Sequence, residues 1–284
     1  MTGRAAELSE PIPERIRHYV LDGSDQDLRR LLSVAEVQAE SARAAVRRIG
    51  DIAGWRAIEC GCGPLGCLAV LSELVGQDGA VVGIDFGQAT VERARSVVAV
   101  LGIGNVEVVA GDVHEFDVAD AGGPFDLGYT RAFLMHQADP ERTLRKIAGM
   151  LRPGGWLIVQ EPLRTPPPQS YPHVGAIGRY WELMHEAAAR SGVAPDAVEN
   201  LRASAPRAGF EVAAANGFFN VMEPSVGFDI HASAVAALKS RLVGTGVAAD
   251  SEVDELERSL LQAASAEDGW LTSPFMLDLT LRKP

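Results

Sequence analysis

The sequence predicts an α/β protein built on a doubly wound, mostly parallel sheet of seven strands. Three observations predict it. Short apolar runs recur between stretches with helical spacing of apolar residues. The early runs lack the strict alternation of a half-exposed strand, so both faces are expected to lie under helices. A glycine-dense turn, Gly61 to Gly66, falls directly between the first apolar run and the helix after it.

In chain order, residues 1–50 read as a helical arm or cap. Its helix is expected to begin at Ser24, whose hydroxyl can cap it with Asp27 three residues on. It runs to about Arg48, with Leu28, Leu31, Leu32, Ala35 and Val37 apolar. The main domain, 51–284, starts with a strand at 56–60, a helix at 67–75 and a strand at 80–85. A helix with Val91, Ala94, Val98 and Leu101 on one face follows, then strands at 105–110 and 125–130. Asp139 and Pro140 suit the cap and first position of a helix whose inner face is Leu144, Ile147, Ala148 and Leu151. The turn 152–155 is expected to end it before a fifth strand at 156–161.

After Glu161 the pattern changes. Residues 162–175 are rich in proline, and a helix follows with Ile177, Trp181, Met184 and Ala188 on one face. Pro195 suits the first position of a further helix, which Pro206 ends near Ala205. A sixth strand is expected over 210–221, two helical stretches over 229–266 and a last strand over 275–281. Segments 162–195 and 222–271 exceed what the sheet needs, and read as insertions that form a lid over a substrate or an interface between two copies of the chain.

Bulk properties narrow the function. With 26 basic and 38 acidic residues the chain has a formal net charge of −12, which repels polyphosphate at long range. No nucleic-acid partner is expected. No apolar run reaches the ~18 residues of a membrane span. The first residues are polar, so a cytoplasmic protein is expected. Cys60, Cys62 and Cys67 fall within eight residues. Their number is odd and no His or fourth Cys lies near them, so they read as small residues in a tight turn and no metal is expected.

Residues 59–66 are Glu-Cys-Gly-Cys-Gly-Pro-Leu-Gly. Gly61, Gly63 and Gly66 satisfy G-x-G-x-x-G, which permits a sharp turn and close approach of backbone N–H groups to a ligand. The pattern alone suits several nucleotide cofactors. Glu59 at the strand end argues against a pyrophosphate, which a carboxylate repels. Asp85 ends the second strand, where its carboxylate can accept both hydroxyls of a ribose. Gly111-Asp112-Val113 follows the third strand, where an acidic side chain can accept from an exocyclic adenine amine.

Glu59–Gly66, Asp85, Gly111–Val113, Phe125–Thr130 and Leu151-Arg-Pro-Gly-Gly155 resemble, in that order, the signature segments of class I S-adenosylmethionine-dependent methyltransferases. The run Leu-Arg-Pro-Gly-Gly-Trp-Leu-Ile-Val is similar to the ubiquinone- and menaquinone-biosynthesis-like branch and its bacterial small-molecule relatives. The resemblance covers about 53–161 and, more loosely, the rest. It implies a seven-stranded sheet with a reversed last strand and S-adenosylmethionine as cofactor, converted to S-adenosylhomocysteine. It implies that Glu59, Gly61 and Gly63 lie along the methionine part, that Asp85 holds the ribose, and that Asp112 with Val113 meets the adenine; Cys62, Phe86 and Gly111 beside them are cofactor candidates too. Thr130, Tyr19 and Gln38 are further cofactor candidates, the last two from the N-terminal region that closes over the ligand in such relatives.

Methyl transfer rests on alignment and exclusion of water, and a base is needed only where the acceptor must lose a proton. His136, after the fourth strand, is the leading candidate. His114, His173, His185, Glu161, Tyr129 and Tyr180 are the others. Arg131, Tyr180, Trp181 and His185 are candidates to line the acceptor site, although His185, one residue after Met184, is expected to point outward. The expected function is methyl transfer to O, N or C of a small, partly apolar metabolite. A methyltransferase fold altered to rearrangement or binding, and a nicotinamide-dependent oxidoreductase, are the competing readings.

Overall fold

The computed structural model describes residues 26–190 and 195–284. The expected cofactor candidate Tyr19 and the expected cap Ser24 lie outside the described residues. The chain divides into two compact units: residues up to Tyr129 with Met150–Gly155, and Thr130–Gly149 with Trp156–Pro284.

The first unit opens with α1 (Gln26–Val37) and α2 (Ala39–Arg47), in place of a single helix. The break is slight. Gln38 sits between them at φ −97, ψ 2, and the amide hydrogen bonds Gln38 to Val34 and Ala42 to Gln38 carry the helical ladder across it. Leu28, Leu32 and Ala35 of α1 pack with Leu65 of the glycine turn and with Val97. The Arg43 guanidinium ties α2 to the next helix through Glu73, with Nη2 2.7 Å and Nε 3.0 Å from Oε2. That charge partner raises the Arg43 pKa.

Strand β1 (Arg56–Cys60) pairs in parallel with β2 (Ala80–Asp85), and β2 with β3 (Val106–Ala110). The helices between them are α3 (Leu68–Val75) and α4 (Gln88–Leu101). Ala57 through Cys60 are buried without interruption, as expected for a strand covered on both faces. Each fully buried aliphatic side chain such as Ile58 contributes about 1.5–3 kcal/mol. β4 (Phe125–Arg131) and β5 (Leu151–Pro162) extend the sheet, whose full order is β3-β2-β1-β4-β5-β10-β7. β5 starts at Leu151, five residues earlier than expected. The Arg-Pro-Gly-Gly segment is part of the strand, with Gly154 at φ +77 giving the bend that glycine tolerates.

In the second unit, α5 (Pro140–Met150) precedes β5, and β6 (Ser170–Tyr171) precedes α6 (Gly175–Arg190). The helix expected from Pro195 is a 3-10 turn over Pro195–Asn200 leading into the short α7 (Leu201–Ser204). The expected strand 210–221 divides into β7 (Glu211–Phe218) and β8 (Val221–Met222); between them the Asn220 N–H donates to the Ser273 hydroxyl at 2.9 Å and the Asn220 carbonyl accepts the Ser273 N–H at 2.8 Å. Helices α8 (Pro224–Gly244) and α9 (Asp250–Ala264), then β9 (Trp270–Thr272) and β10 (Met276–Arg282), complete it. β10 runs antiparallel to both β5 and β7, which makes it the reversed strand. In its register Asp278 faces Gln160, and the buried amide donates to the buried carboxylate at 3.2 Å. A second sheet, β6-β9-β8, was not expected from the sequence. Its strands have two or three residues each, and their exposed Tyr171 and Trp270 rings stack at 6.5 Å.

Candidate active site

The first unit places most of the predicted cofactor residues around one turn. Gly61, Gly63 and Gly66 have φ of +74, +56 and +48, conformations that cost a side chain roughly 1–2 kcal/mol. Two carboxylates brace the loop. Both oxygens of Glu59, which is 1% exposed, accept the Cys67 N–H at 2.8 Å. Glu59 is thus turned inward beneath the turn rather than outward from the strand end. At Gly66 an added Cβ would lie 2.4 Å from Glu59 Oε1 and 2.5 Å from the Cys62 carbonyl. At Gly63 it would meet nothing within 4 Å. One glycine is required by the protein's own packing, and the other faces open space.

Asp85 links the turn to β2. Its Oδ2 accepts the Gly63 N–H and its Oδ1 the Gly87 N–H, both at 3.0 Å. Each oxygen retains lone-pair capacity for a hydroxyl. The next residue, Phe86, leaves its ring 82% exposed. Beyond β3, the Gly111 N–H donates to the Asp85 carbonyl, Asp112 Oδ1 accepts the His114 N–H at 2.9 Å, and Val113 is buried. Gln38 is buried and its Oε1 finds no hydrogen-bond donor among the described residues. An unmet buried acceptor of this kind costs on the order of 1–3 kcal/mol unless a ligand or water meets it. The open cradle at Gly63, the two half-used oxygens of Asp85 and the unmet Gln38 oxygen suit an adenosine-bearing ligand.

The cysteines hold no metal arrangement. All three are free and buried, and among the described residues no group of three or more His, Cys, Asp and Glu could hold an ion. Burial first, and then the Glu59 charge, pushes the Cys60 thiol up to about 12.

In the second unit the turn after β4 carries His136. Ala132 there has φ +48 and is the non-glycine residue with positive φ among those described. Glu161, fully buried at the end of β5, holds this turn: Oε1 accepts from Phe133 at 3.0 Å and Leu134 at 2.9 Å, and Oε2 from Met135 at 3.2 Å. Burial pushes the Glu161 carboxyl up to about 7, against the lowering effect of the three N–H groups. With its oxygens so engaged, Glu161 shapes the turn and does not face an acceptor. Tyr129 is fully buried and also no base.

His136 is on the 3-10 turn Leu134–His136 and lines a cavity of about 70 Å³. Met135, Met184, His185, Leu238 and Arg241 also line it. Desolvation by the surrounding protein, and then the Arg241 charge, lowers the His136 pKa. That shift favours the neutral ring, the form able to accept a proton. His185 does not point outward. It is 5% exposed, because Nδ1 contacts the Trp181 carbonyl at 2.8 Å and its ring packs edge-on to Trp181. Trp181 donates to the Arg164 carbonyl at 2.8 Å, and the Tyr180 hydroxyl donates to Met184 Sδ at 3.7 Å. Both rings are buried packing groups, and neither lines this cavity. Arg131 is half-buried, and Thr130 is fully buried with Oγ1 unmet among the described residues. His114 is half-buried in the first unit and His173 is exposed. Arg241 and Met135 were missed by the sequence reading. A basic residue in the last turn of a helix is common for reasons of the helix dipole alone.

A glycine turn braced by two carboxylates, in a seven-stranded sheet with one reversed strand, defines a nucleotide-binding α/β protein distinct from the all-parallel dinucleotide fold. The family described as "Methyltransferase domain" matches residues 52–188. That segment, just under half of the chain, is similar to a methyltransferase domain. The chain is 28% identical to nocamycin O-methyltransferase of Saccharothrix syringae over 242 residues, 79% of this chain and 82% of that one. It is 32% identical to ubiquinone biosynthesis O-methyltransferase of Bordetella avium over 128 residues, 45% of this chain and 51% of that one. The chain spans about half the length of the ubiquinone-type relatives it matches. A methyltransferase candidate from Bacillus halodurans C-125 shares the fold, with a TM-score of 0.54 at 16% identity, covering 86% of this chain and 99% of that one.

Proposed function

We propose that the protein transfers a methyl group from S-adenosylmethionine to an O, N or C atom of a small, partly apolar metabolite. The observation that carries this is the open cradle at Gly63 beside Asp85 and the bare Phe86 ring. Gly63 gives the ligand backbone-close access, Asp85 takes the ribose hydroxyls, and Phe86 covers a flat face of the ligand. Asp112 and Val113 take the adenine, and Gln38 Oε1 is an acceptor still to be met. Glu59 acts from beneath, by fixing the turn.

When bound, S-adenosylmethionine would supply an electrophilic methyl group for an acceptor's lone pair, with a neutral thioether as leaving group. His136 takes the proton that an acceptor O–H, N–H or acidic C–H gives up, which is worth about 10²–10⁴-fold. Glu161 keeps His136 on its strained turn. The insertions 162–195 and 222–271 supply the apolar surroundings of the acceptor, and exclusion of water there favours transfer. Relatives named for quinone and antibiotic O-methylation support an acceptor that is small and partly apolar.

The test is in two parts. Calorimetry with S-adenosylhomocysteine is expected to give micromolar affinity, roughly −8 kcal/mol, and at least tenfold weaker binding for Asp85→Ala. A transfer screen with labelled cofactor over phenols, quinones, amines and polyketide-like acids is expected to label one class. Binding without transfer to any acceptor would leave a binding module and remove the enzyme reading.

A further inference from the structure

The cavity beside His136 contains a cation that no carboxylate meets among the described residues. Helices α6, α8 and α9 are rich in ion pairs. Arg179 meets Glu252 and Glu182, Arg190 meets Glu186, Lys239 meets Asp250 and Asp254, and Arg258 meets Glu255. Arg241 lies on the same helix as Lys239, yet its guanidinium has no carboxylate and no hydrogen-bond partner among the described residues. It stands exposed at a cavity otherwise made of two methionines, two leucines, two alanines and two histidines. In a chain with twelve more acidic than basic residues, an arginine left without an acid at a cavity is poorly explained as surface charge balance.

We infer that the acceptor is an acid: a small molecule whose anionic oxygen group, a carboxylate or an ionised enol or phenol, meets Arg241 while a short apolar stem enters between Met135 and Met184. This rests on the methyl-transfer reading for the word acceptor only. Recognition of an acid by Arg241 stands or falls separately. The size agrees. A cavity of about 70 Å³ is far below the ~300–1,000 Å³ that encloses a whole drug-sized ligand, so it takes one end of the molecule. It has room for on the order of five water-sized groups, enough for an acid and a few carbons. The guanidinium presents a planar fork of donors that matches a carboxylate in two parallel hydrogen bonds, which an amide or ester cannot reproduce. The lining offers no carboxylate to compete for the guanidinium.

The experiment is a ligand-observed NMR titration of the full chain, saturated with S-adenosylhomocysteine, with pentanoate and with its neutral isostere pentanamide. Pentanoate is expected to bind at least tenfold tighter. Arg241→Gln is expected to erase that preference, and Arg241→Lys to keep part of it, because the charge remains while the fork is lost. Unchanged preference in Arg241→Gln, or no preference in the wild type, overturns the inference. Thermal melts of both variants identify a folding defect, and Leu238→Trp, which fills the cavity and leaves the charge in place, then serves instead: it is expected to abolish pentanoate binding, and unaltered binding overturns the inference. Transfer assays keep the two readings apart. If methyl transfer proceeds equally well to neutral acceptors in wild type and Arg241→Gln, the acid inference falls and the enzyme stands. If pentanoate selectivity depends on Arg241 but no acceptor is ever methylated, the acid site stands and the enzyme falls.

Discussion

The turn around Gly63 and the turn around His136 are both shaped by buried or half-buried carboxylates that gather backbone N–H groups, yet they are built differently. At Gly63 the left-handed residues are glycines, and the carboxylates come from strand ends within 8 and 22 residues of the groups they hold. At His136 the left-handed residue is Ala132, and the carboxylate arrives from Glu161, 26 to 28 residues away. The first turn stores little strain, because glycine is indifferent to the sign of φ. The second turn places a strained alanine under a buried acid with a raised pKa. The one is fixed by residue type, and the other depends on a protonation state.

The largest effect should separate two glycines of the same turn. Gly66→Ala forces a Cβ against backbone and Glu59, and should cost about 3 kcal/mol or more, enough to remove a cooperative thermal transition. Gly63→Ala should cost about 1–2 kcal/mol, melt cooperatively, and lose at least tenfold in affinity for S-adenosylhomocysteine. Equal melting of the two variants would abolish the distinction between a packing glycine and a ligand-facing one.

Glu161 gives the second contrast. Its folded pKa, about 7, lies above the ordinary carboxylate value of 4.5. Its contribution to stability is therefore fully present below about pH 4.5 and is lost as pH rises through about 7, on the order of 3 kcal/mol in all. Glu161→Gln should flatten the fall in melting temperature across that window. The same slope in both proteins would show that the carboxyl is ionised throughout.

These contrasts also explain what was legible in the sequence. The Gly63 turn is local: glycines, a strand-end Glu59 and Asp85 lie within 27 residues and carry their chemistry in their spacing. The sheet was legible for the same reason, since runs such as Ala57–Cys60 and Val81–Ile84 state their double burial directly. The cavity at His136 draws on residues 135, 184–188 and 238–242, which no spacing connects. Glu161 looked like a free strand-end acid because its partners are backbone groups, which have no letter in the sequence. His185 was expected outside because helical phase alone does not reveal an imidazole bonded back to Trp181. The β6-β9-β8 sheet escaped because strands of two or three residues carry no period.

A smaller effect concerns His136. His136→Ala should lower kcat at least tenfold and leave S-adenosylhomocysteine affinity nearly unchanged. Because its pKa is lowered, the acid limb of the wild-type rate profile should lie below pH 6.5. Arg241→Gln removes one cause of the lowering and should move that limb upward. A limb that stays in place in the variant would separate the two residues. Least of all should follow from Arg179→Ala, which removes an exposed pair with Glu252 and should change stability by about 0.2–1 kcal/mol.

The three thiols around the first turn have a practical consequence. Cys60, Cys62 and Cys67 are at most 1% exposed, and the chain has no other cysteine. A thiol reagent can reach them only in the fraction of time the glycine loop is open, so alkylation becomes a clock for that opening. Any molecule that binds the closed loop slows the clock by the factor one plus its concentration over its dissociation constant. Unmodified protein therefore carries its own label for ligand occupancy. Mass spectrometry of the alkylated thiols against time would report affinity for each nucleoside without any acceptor being known.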